Sequence, residues 1–503
     1  MLSDMIEKGR PVPHHGPWPR AIVDLVVWIS AAQALSQGHL ILLGLWGEKT
    51  AVHMAMLDEL AGTIGVLSLE NLKGGGYPSI AQLHPPALRP ERALRDLTGL
   101  EPWGLPDSRL WLDHGQWDLR YPLGERRVPS LETAPYTFLR AEGDGLHQIP
   151  VGPVHAGIIE PGHFRFTANG ETVVRLEERL GYVHKGIEAL MVGADLVRGA
   201  QLAGRTSGDS TVAYAYAFSR AVESALGFIV PYRAIWLRAL MAELERLANH
   251  LGDIGAICND AAFSLMQAHC GVLRERVLRA ADAAFGHRLM RDRIVPGGVT
   301  TDLNGDGAAG LRNLLAEIRR RFPALVELYD NTASLQDRTV GTGKLSVDQA
   351  REYGAGGYIG RASGRGFDAR QVLHYPPYDS LVFDVPVLDD GDVNARVWIR
   401  IREVEQSLLL VEQILDRLPK GSIADVVPSV GECREGVALI EGFRGDVLVW
   451  LRLSPDGMIE RCHLRDPSWF QWPLLEAAIE GNIVADFPLC NKSFNCSYSG
   501  HDL

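Results

Sequence analysis

The chain has 503 residues, of which 46% are hydrophobic and 22% charged, a balance typical of globular proteins that bury large cores without disulfides. Its formal net charge of −12 argues against nucleic-acid binding as the main function. The N-terminus lacks the order of basic and then apolar residues that marks a secretory signal. The apolar stretches Ala21–Ile29 and His39–Trp46 fall short of the roughly 18 residues that a membrane-spanning helix needs.

The first 123 residues are predicted to form a small α/β domain. Apolar spacing predicts two helices and two strands in it, the helices over Ile22–Leu35 and Ala51–Leu60 and the strands over His39–Leu45 and Ile64–Leu69. The three glycines 74–76 predict a flexible turn. Residues 124–147 are polar and irregular, and we expect them to form a linker.

Residues 148–503 are predicted to form a larger, mostly helical domain with β-hairpins at its periphery, so the fold class is α+β. Phe164–Leu176 alternates around Asn169-Gly170, a strong hairpin signal. Leu439–Leu453 has strand-like alternation, with Val447, Val449 and Leu451 on one face. Long apolar periodicity, with breaks near Pro231 and Pro296, predicts five helices, over Thr211–Leu226, Arg233–Ile257, Phe263–Ala284, Ala308–Asp330 and Asp392–Leu418.

Two further patterns argue against common cofactor sites. The six cysteines, at positions 258, 270, 433, 462, 490 and 496, form no C-x-x-C pair and favour a reduced, cytosolic protein. The chain has no P-loop, and the glycine-rich stretch Gly354–Gly364 follows a polar helical segment where a dinucleotide motif would follow a strand. We therefore expect no direct binding of a nicotinamide cofactor.

Several motifs resemble those of one family, in the same order along nearly the whole chain. The family is the large subunit of formate hydrogenlyase and other group 4 membrane-bound nickel–iron hydrogenases, together with its relative, the 49-kDa subunit of respiratory complex I. The first 123 residues resemble the complex I 30-kDa subunit, which is fused ahead of the large subunit in formate hydrogenlyase. The stretches that carry the resemblance are YPSIAQLHPPALRPERALRDLTGL (77–100), VGPVHAGIIEPGHFRF (151–166), LGYVHKGIEAL (180–190), RAIWLRALMAELERLANHL (233–251), PGGV (296–299), YPPYDSLVFDVPV (375–387) and DVNARVWIRIREVEQSL (392–408).

The resemblance places the metal ligands of the hydrogenases in two motifs that are altered here. The first is R-x-C-G-x-C with a histidine four residues later, and it corresponds to Arg205, Ser207, Ser210 and Tyr214. The second is a C-terminal C-x-x-C, whose cysteine positions fall at Ser497 and at glycine 500, so that cysteines 490 and 496 are out of register.

Thiolates are soft ligands that suit low-valent nickel and iron, whereas a hydroxyl is hard and a glycine has no side chain. The resemblance therefore implies that this chain binds no nickel–iron centre and has no metal site. In the family that the chain resembles, hydrogenase large subunits carry a C-terminal extension that is removed after nickel insertion. This sequence ends three residues after Gly500, which agrees with the expectation that no nickel is inserted.

The resemblance also suggests which residues could remain active. Glu188 corresponds to a carboxylate that relays protons in hydrogenases, and burial would raise its pKa; an exposed or structural glutamate is the alternative. The former metal cavity would be lined by Arg205, Ser207, Asp209, Ser210, Ser497 and Asp502. These polar side chains would line a wet cavity, donate to a ligand, or fill the space of the metal. Asp502 could form a salt bridge with Arg205.

In complex I the equivalent cavity holds quinone, which a tyrosine and a histidine protonate. The complex I tyrosine falls at Gly208 here, so that donor is missing. Tyr214 or Tyr216 could supply a phenol instead, and His163 or His155 an imidazole. The alternative is that the tyrosines are packed helix residues and His163 is an ordinary hairpin residue.

These implications support a subunit of a membrane-associated, ion-translocating oxidoreductase complex that passes electrons to quinone or another acceptor. The alternative is a non-catalytic scaffold that couples the small subunit to the membrane arm. A third hypothesis is a working hydrogenase, against which the missing cysteine ligands argue. The expected partners are an iron–sulfur small subunit resembling the complex I 20-kDa subunit, which would carry the cluster, and membrane-arm subunits resembling antiporters and the complex I quinone-channel subunit. We expect no nucleic acid. The chain would then lie peripherally on the cytoplasmic side of the membrane.

Overall fold

The first part of the chain is built around a five-stranded mixed sheet. The computed structural model describes residues 1–72, 75–125, 128–129, 135–156 and 159–503. The sheet has the strand order β1-β3-β6-β5-β4, with β3 and β6 parallel and the other pairs antiparallel. Its elements are α1 (Leu2–Lys8), β1 (Arg10–Pro11), β2 (His15–Gly16), β3 (Arg20–Ile22), α2 (Leu25–Ser36), β4 (Ile41–Gly47), β5 (Val52–Asp58) and β6 (Thr63–Leu69), and beyond the sheet follow β7 (Gly76–Pro78), α3 (Leu88–Thr98) and β8 (Glu101–Trp103).

The structure confirms the predicted helix α2 and strands β4 and β6, but the predicted helix over Ala51–Leu60 is wrong. These residues form β5, which lies between β4 and β6 and is buried on both faces. A short apolar run that is buried on both sides has no strict alternation, so its spacing also matched a helix. The predicted turn at glycines 74–76 lies partly outside the described residues, and Gly76 begins β7.

A three-stranded antiparallel sheet opens the second part of the chain. Its strands are β11 (Leu146–Val151), β12 (His163–Asn169) and β13 (Thr172–Arg179), and they follow the short pair β9 (Leu119–Arg120) and β10 (Val128–Pro129). The predicted hairpin around Asn169-Gly170 is confirmed, and Gly170 has the left-handed φ of +58° that such a turn requires.

Long helices dominate the rest of the chain, as predicted. Helices α6, α7, α8, α9 and α14 begin and end within a few residues of the predicted bounds. The helices after the hairpin are α4 (Ile187–Met191), α5 (Leu196–Ala203), α6 (Thr211–Leu226), α7 (Tyr232–Asp260), α8 (Ser264–Phe285), α9 (Gly305–Asn331), α10 (Ala333–Thr339), α11 (Val347–Glu352), α12 (Gly357–Ala362), α13 (Ala369–Val372), α14 (Val393–Arg417), α15 (Ser468–Ile479), α16 (Phe487–Phe494) and α17 (Tyr498–Asp502). The glycine-rich stretch 354–364 contains α12 and follows α11, in agreement with the prediction.

A four-stranded sheet packs against α6 and joins the two parts of the chain. It consists of β16 (Arg434–Glu441), β17 (Asp446–Leu453) and β18 (Ile459–Arg465), and strand β2 adds to β16 in parallel. The predicted strand over Leu439–Leu453 is therefore two antiparallel strands with a turn between them. A two-stranded pair, β14 (Ile294–Val295) and β15 (Gly298–Val299), lies between α8 and α9.

A buried ion pair and a partly buried one cross between the first 123 residues and the larger part. Both oxygens of Glu48 accept from Arg452 at 2.7 Å, and Arg20 Nη1 lies 2.7 Å from Glu435 Oε1. The α+β fold class is confirmed. The domain bounds 1–123, 124–147 and 148–503 stay a prediction. Among the described residues, no helix is both long and apolar enough to cross a membrane.

Candidate functional site

Two segments far apart in the sequence meet where the resemblance places the metal ligands of the hydrogenases. Ser207 stands before the short turn Gly208–Ser210 that leads into α6, and Ser497 caps the N-terminus of α17 by accepting from the N–H of Gly500 at 2.9 Å. The two serine Oγ atoms lie 2.9 Å apart, and both side chains are buried. The structure therefore brings together the residues that align with the two hydrogenase ligand motifs.

Asp209 and Arg444 form an ion pair beside these serines. The Arg444 guanidinium, on the turn between β16 and β17, donates through both Nη atoms to the two carboxylate oxygens of Asp209. Ser207 Oγ donates to Asp209 Oδ1 at 2.8 Å, and Ser210 Oγ accepts from Arg444 Nη1 at 3.2 Å. Burial alone would raise the pKa of Asp209, but Arg444 lowers it, so the carboxylate stays ionised. We call Ser207, Asp209, Ser210, Arg444 and Ser497 the serine–arginine cluster.

Tyr214 lies on α6 at the position of the family histidine, and its hydroxyl already has a hydrogen-bond partner. The Tyr214 hydroxyl donates to Asp466 Oδ2 at 2.7 Å, and both side chains are fully buried. Burial, followed by the neighbouring Asp466 carboxylate, raises the pKa of Tyr214 well above its usual value. Tyr214 is therefore a neutral, packed helix residue, which is the alternative that the sequence left open.

Gly500 fills the last cysteine position and approaches Asp466 closely. A Cβ added at Gly500 would lie 2.4 Å from Asp466 Oδ2 and 2.9 Å from Ser497 Oγ. Asp466 is itself held by the backbone N–H of Ser468, which donates to Oδ1 at 2.9 Å. The backbone around Gly500 therefore has no room for a cysteine side chain.

The predicted salt bridge between Arg205 and Asp502 is wrong. Arg205 pairs with Asp292 in two hydrogen bonds of 2.7 and 2.8 Å at a partly exposed position. The buried carboxylate of Asp502 accepts the backbone N–H groups of Gly181 and Val183 at 2.9 and 3.0 Å. Asp502 thus ties α17 to the loop that precedes α4, and its carboxylate is held by these backbone N–H groups and by the His501 imidazole, whose Nδ1 lies 2.8 Å from Oδ1.

Glu188 is buried, but the expectation that burial raises its pKa is wrong. Its Oε2 lies 2.7 Å from Arg461 Nη1, and its Oε1 accepts from His463 Nδ1 at 2.7 Å and from the N–H of Leu464 at 3.1 Å. Burial alone would raise the pKa of Glu188, but Arg461 and His463 together lower it to about 2. A carboxylate held in this way stays ionised at neutral pH and is unsuited to proton relay in this state.

Within the described part of the chain, His155, His163 and Tyr216 make no hydrogen bond to the cluster, although the His155 ring lies 6.3 Å from the ring of Tyr498, which follows Ser497. His163 Nδ1 donates to Gly152 O at 3.2 Å, and its ring packs on Phe138. His155 packs on Phe164 within the same β-sheet region, and Tyr216 packs on Tyr375. His163 is thus a hairpin residue, and none of its described contacts reaches Tyr214.

Sequence reasoning missed Arg444, Asp466 and Glu245. Glu245, on α7, accepts the N–H groups of Val212 and Ala213 at 2.7 and 3.1 Å, so its carboxylate caps the N-terminus of α6. Burial raises its pKa to about 8. The sequence offered little signal for these residues, because Asp466 and Glu245 stand among other charged residues and Arg444 lies in a short glycine-containing turn.

The donor set at the four ligand positions does not fit a nickel–iron centre. It offers three hydroxyls, from Ser207, Ser210 and Ser497, and no side chain at Gly500. The hydroxyls already bond to one another, to Asp209 and to Arg444. Hard, protonated oxygen donors are poor substitutes for thiolates at low-valent nickel.

Residues 261–435 match the family described as the 49 Kd subunit of respiratory-chain NADH dehydrogenase. Formate hydrogenlyase subunit 5 of Escherichia coli is 33% identical over 438 residues, which cover 85% of this chain and 77% of that protein. This chain belongs to the family of large subunits of membrane-bound hydrogenases and complex I.

Other relatives of this large subunit are similar along most of its length. Hydrogenase-4 component G of Escherichia coli is 30% identical over 450 residues, covering 87% of this chain and 78% of that protein. The solved structure of the membrane-bound sulfane sulfur reductase, an archaeal respiratory membrane complex, contains a similar chain with a TM-score of 0.68 and 26% identity. That match covers 72% of this large subunit and 100% of the other chain.

Proposed function

We propose that this large subunit works in a membrane-associated redox complex without a nickel–iron centre of its own, as the structural core between an iron–sulfur small subunit and the membrane arm. The observation that carries the proposal is the serine–arginine cluster. It fills the metal position with a closed set of hydrogen bonds between the two segments that would otherwise be joined by metal ligands.

The cluster supplies a physical reason for a structural role. In a metal-loaded relative, the centre would hold the start of α6 to the C-terminal segment. Here the hydrogen bond between Ser207 and Ser497 and the ion pair of Asp209 with Arg444 connect the same segments. Buried, mutually satisfied polar groups of this kind fix one arrangement of the chain.

Membership in the family supports the expected setting. Relatives include a membrane-bound hydrogenase subunit alpha and a carbon monoxide-induced hydrogenase. By this relationship, the partners would be an iron–sulfur small subunit and membrane-arm subunits, and the chain would lie peripherally on the cytoplasmic side of the membrane.

The proposal is tested on the complex purified through a tag on this chain. We expect the iron–sulfur signal of the small subunit by electron paramagnetic resonance, with no hydrogen uptake by a viologen assay and no hydrogen evolution from reduced viologen. A formate hydrogenlyase complex purified in the same way is the positive control. Hydrogen turnover by this complex would refute the proposal.

Electron transfer to a soluble or lipid acceptor is the second candidate. It is favoured by relatives whose names include NADH-quinone oxidoreductase and sulfane sulfur reductase. The purified complex, reduced through its small subunit, would be offered a short-chain quinone and, separately, polysulfide. Reduction of either compound that is lost when this chain is omitted would establish the acceptor, and the absence of both activities would leave the structural role.

A further inference from the structure

A cavity of about 670 Å³ lies beside the three-stranded sheet β11–β13. The described residues that line it come from the segments 108–120 and 135–138 and from strands β12 and β13, together with Tyr182. None of the five residues of the serine–arginine cluster is among them. Small-molecule sites in proteins have volumes of about 300–1,000 Å³, so this cavity is large enough to hold a small organic molecule.

Arg179, the last residue of β13, lines this cavity and is only 4% exposed. Its guanidinium donates to the backbone oxygen of Trp111 and lies over the ring of Tyr136, 4.4 Å from the ring centroid. Within the described residues it forms no ion pair, although a guanidinium has five N–H donors. Burial of a charge without a partner of opposite sign is costly. A ligand with a negative charge would supply that partner.

Asp96 is a carboxylate near Arg179 that does not pair with it. Burial, opposed in part by Tyr136 and Asp96, lowers the pKa of Arg179 to about 10, so the side chain stays a cation at neutral pH. The Asp96 Oδ2 accepts three backbone N–H groups, from residues 111–113, at 2.6–3.2 Å. Its Oδ1 has no hydrogen-bond partner among the described residues. Asp96 is therefore held by the backbone and leaves the guanidinium unpaired.

The other arginines on the described walls of the cavity already face a carboxylate. Arg109 pairs with Asp107 at 2.7 Å, and Arg120 lies 3.6 Å from Asp113 Oδ2. Arg179 is thus the cation on these walls that lacks a counter-charge. A ligand with a single negative charge would neutralise it, whereas a second negative charge would find no free partner among these groups.

Aromatic rings form much of the remaining wall, from His114, Tyr136, Phe138, His163 and Tyr182. Burial lowers the pKa of His114 and also that of His163, so both imidazoles are uncharged at neutral pH. The Tyr182 side chain is 37% exposed, which leaves part of its ring open to a ligand. Aromatic rings pack favourably on one another, edge to face or offset. The wall therefore favours a ligand that carries a ring.

We infer that this cavity binds an aromatic monocarboxylate, whose carboxylate pairs with the Arg179 guanidinium and whose ring packs beside Phe138 and Tyr182. The planar guanidinium of arginine matches a carboxylate through two parallel hydrogen bonds, which adds geometric specificity to the charge. The ligand is bound without a chemical step. The site does not depend on the proposed function, because it shares no residue with the serine–arginine cluster.

The test is calorimetric titration of the full chain with benzoate, benzamide and acetate. Benzamide has the shape of benzoate without its charge, and acetate has the charge without the ring. We expect saturable binding of benzoate and at least about tenfold weaker binding of each of the other two. Absence of saturable benzoate binding would overturn the assignment, and so would an affinity for benzamide or for acetate equal to that for benzoate.

Substitutions on β13 locate the carboxylate. Arg179→Met should abolish the preference for benzoate over benzamide, and Arg179→Lys should retain part of it, because lysine keeps the charge without the planar fork. Arg175→Met is the matched control: it removes the same charge four residues earlier on β13, from a side chain that does not line the cavity, and should keep the preference. An unchanged preference in Arg179→Met, or its loss in Arg175→Met, would overturn the assignment.

Ser108→Trp tests the cavity without altering a buried residue. Ser108 lines the cavity at an exposed position, so a tryptophan there should fill part of the space and weaken benzoate binding by at least about tenfold. Circular dichroism of each variant checks the fold. An unchanged affinity for benzoate in a folded Ser108→Trp variant would place the ligand elsewhere and overturn the assignment.

Discussion

The hydroxyl oxygens of Ser207 and Ser497 lie 2.9 Å apart, although 290 positions separate the two residues in the sequence. Each serine occupies a position where the hydrogenase relatives are expected to have a metal-binding cysteine. The contact therefore joins the two segments directly, and under our proposal it takes the place of the bonds that a metal would make. If this arrangement is structural, substitutions that break it should lower stability and leave any redox turnover of the folded complex unchanged.

The ion pair between Asp209 and Arg444 should be sensitive to loss of the Asp209 carboxylate, because the Arg444 side chain is buried. Arg444 is buried but Asp209 is 36% exposed, so Asp209→Asn, which leaves a buried guanidinium without its main counter-charge, should lower the free energy of unfolding by about 2 kcal/mol, less than for a fully buried pair. The matched control is Asp292→Asn, which breaks a partly exposed pair with Arg205 and should cost less than about 1 kcal/mol. Urea unfolding of both variants provides the comparison. Equal costs would show that the cluster does not stabilise the fold as described.

Gly500 should tolerate no side chain. Because an added Cβ would lie 2.4 Å from the Asp466 carboxylate, Gly500→Ala should lower the free energy of unfolding by about 1–3 kcal/mol through overpacking. Gly208 is the control, since a Cβ there would meet nothing within 4 Å. A thermal melt of Gly208→Ala should match the wild type. Full stability of Gly500→Ala would contradict the packing around the former ligand position.

Glu188 should behave as a permanently ionised partner of Arg461. Its folded-state pKa of about 2 is below the ordinary value of 4.5, so its stabilisation is complete above pH 4.5 and is lost only as the pH falls towards 2. Glu188→Gln should therefore cost about 3 kcal/mol, unchanged between about pH 5 and pH 8.

Urea unfolding across this pH range measures that cost, and Glu275→Gln, at an exposed helix position, should have no effect. A cost that varied around neutral pH would instead indicate a titrating carboxyl group and would restore Glu188 as a candidate proton relay.

The hydroxyl of Tyr214 should matter for stability and not for proton supply. Tyr214→Phe removes a 2.7 Å hydrogen bond to a buried carboxylate and should cost about 2 kcal/mol. Tyr216→Phe removes only a 3.4 Å contact with Pro376 O and should cost much less. Any redox activity of the complex should survive both substitutions in proportion to folded protein. Selective loss of turnover in a stably folded Tyr214→Phe variant would reverse this interpretation.

The long elements were predictable because their periodicity spans many turns. Helix α6 begins and ends where the apolar spacing placed it, and α14 differs by one residue at each end. Strand β5 was not predictable as a strand, because it is short and buried on both faces. A continuous apolar run of that length fits the period of a helix and that of a strand.

The site was predictable only in part, for a different reason. Register against the family motifs identified Ser207 and Ser497, and the fold places them in contact. It could not identify Arg444 or Asp466, because the β16–β17 turn and the connection from β18 to α15 reach this site only through tertiary packing. Sequence reasoning also predicted the wrong direction for the pKa shift of Glu188. That direction depends on Arg461, which lies on β18, far away in the sequence.

Nickel content tests the central claim most directly. The complex would be produced in cells that also make an active nickel–iron hydrogenase, purified through this chain, and analysed by mass spectrometry for nickel per chain. We expect only trace nickel, with iron accounted for by the clusters of the small subunit. Close to one nickel per chain would contradict the proposal that the serine–arginine cluster stands in place of the metal.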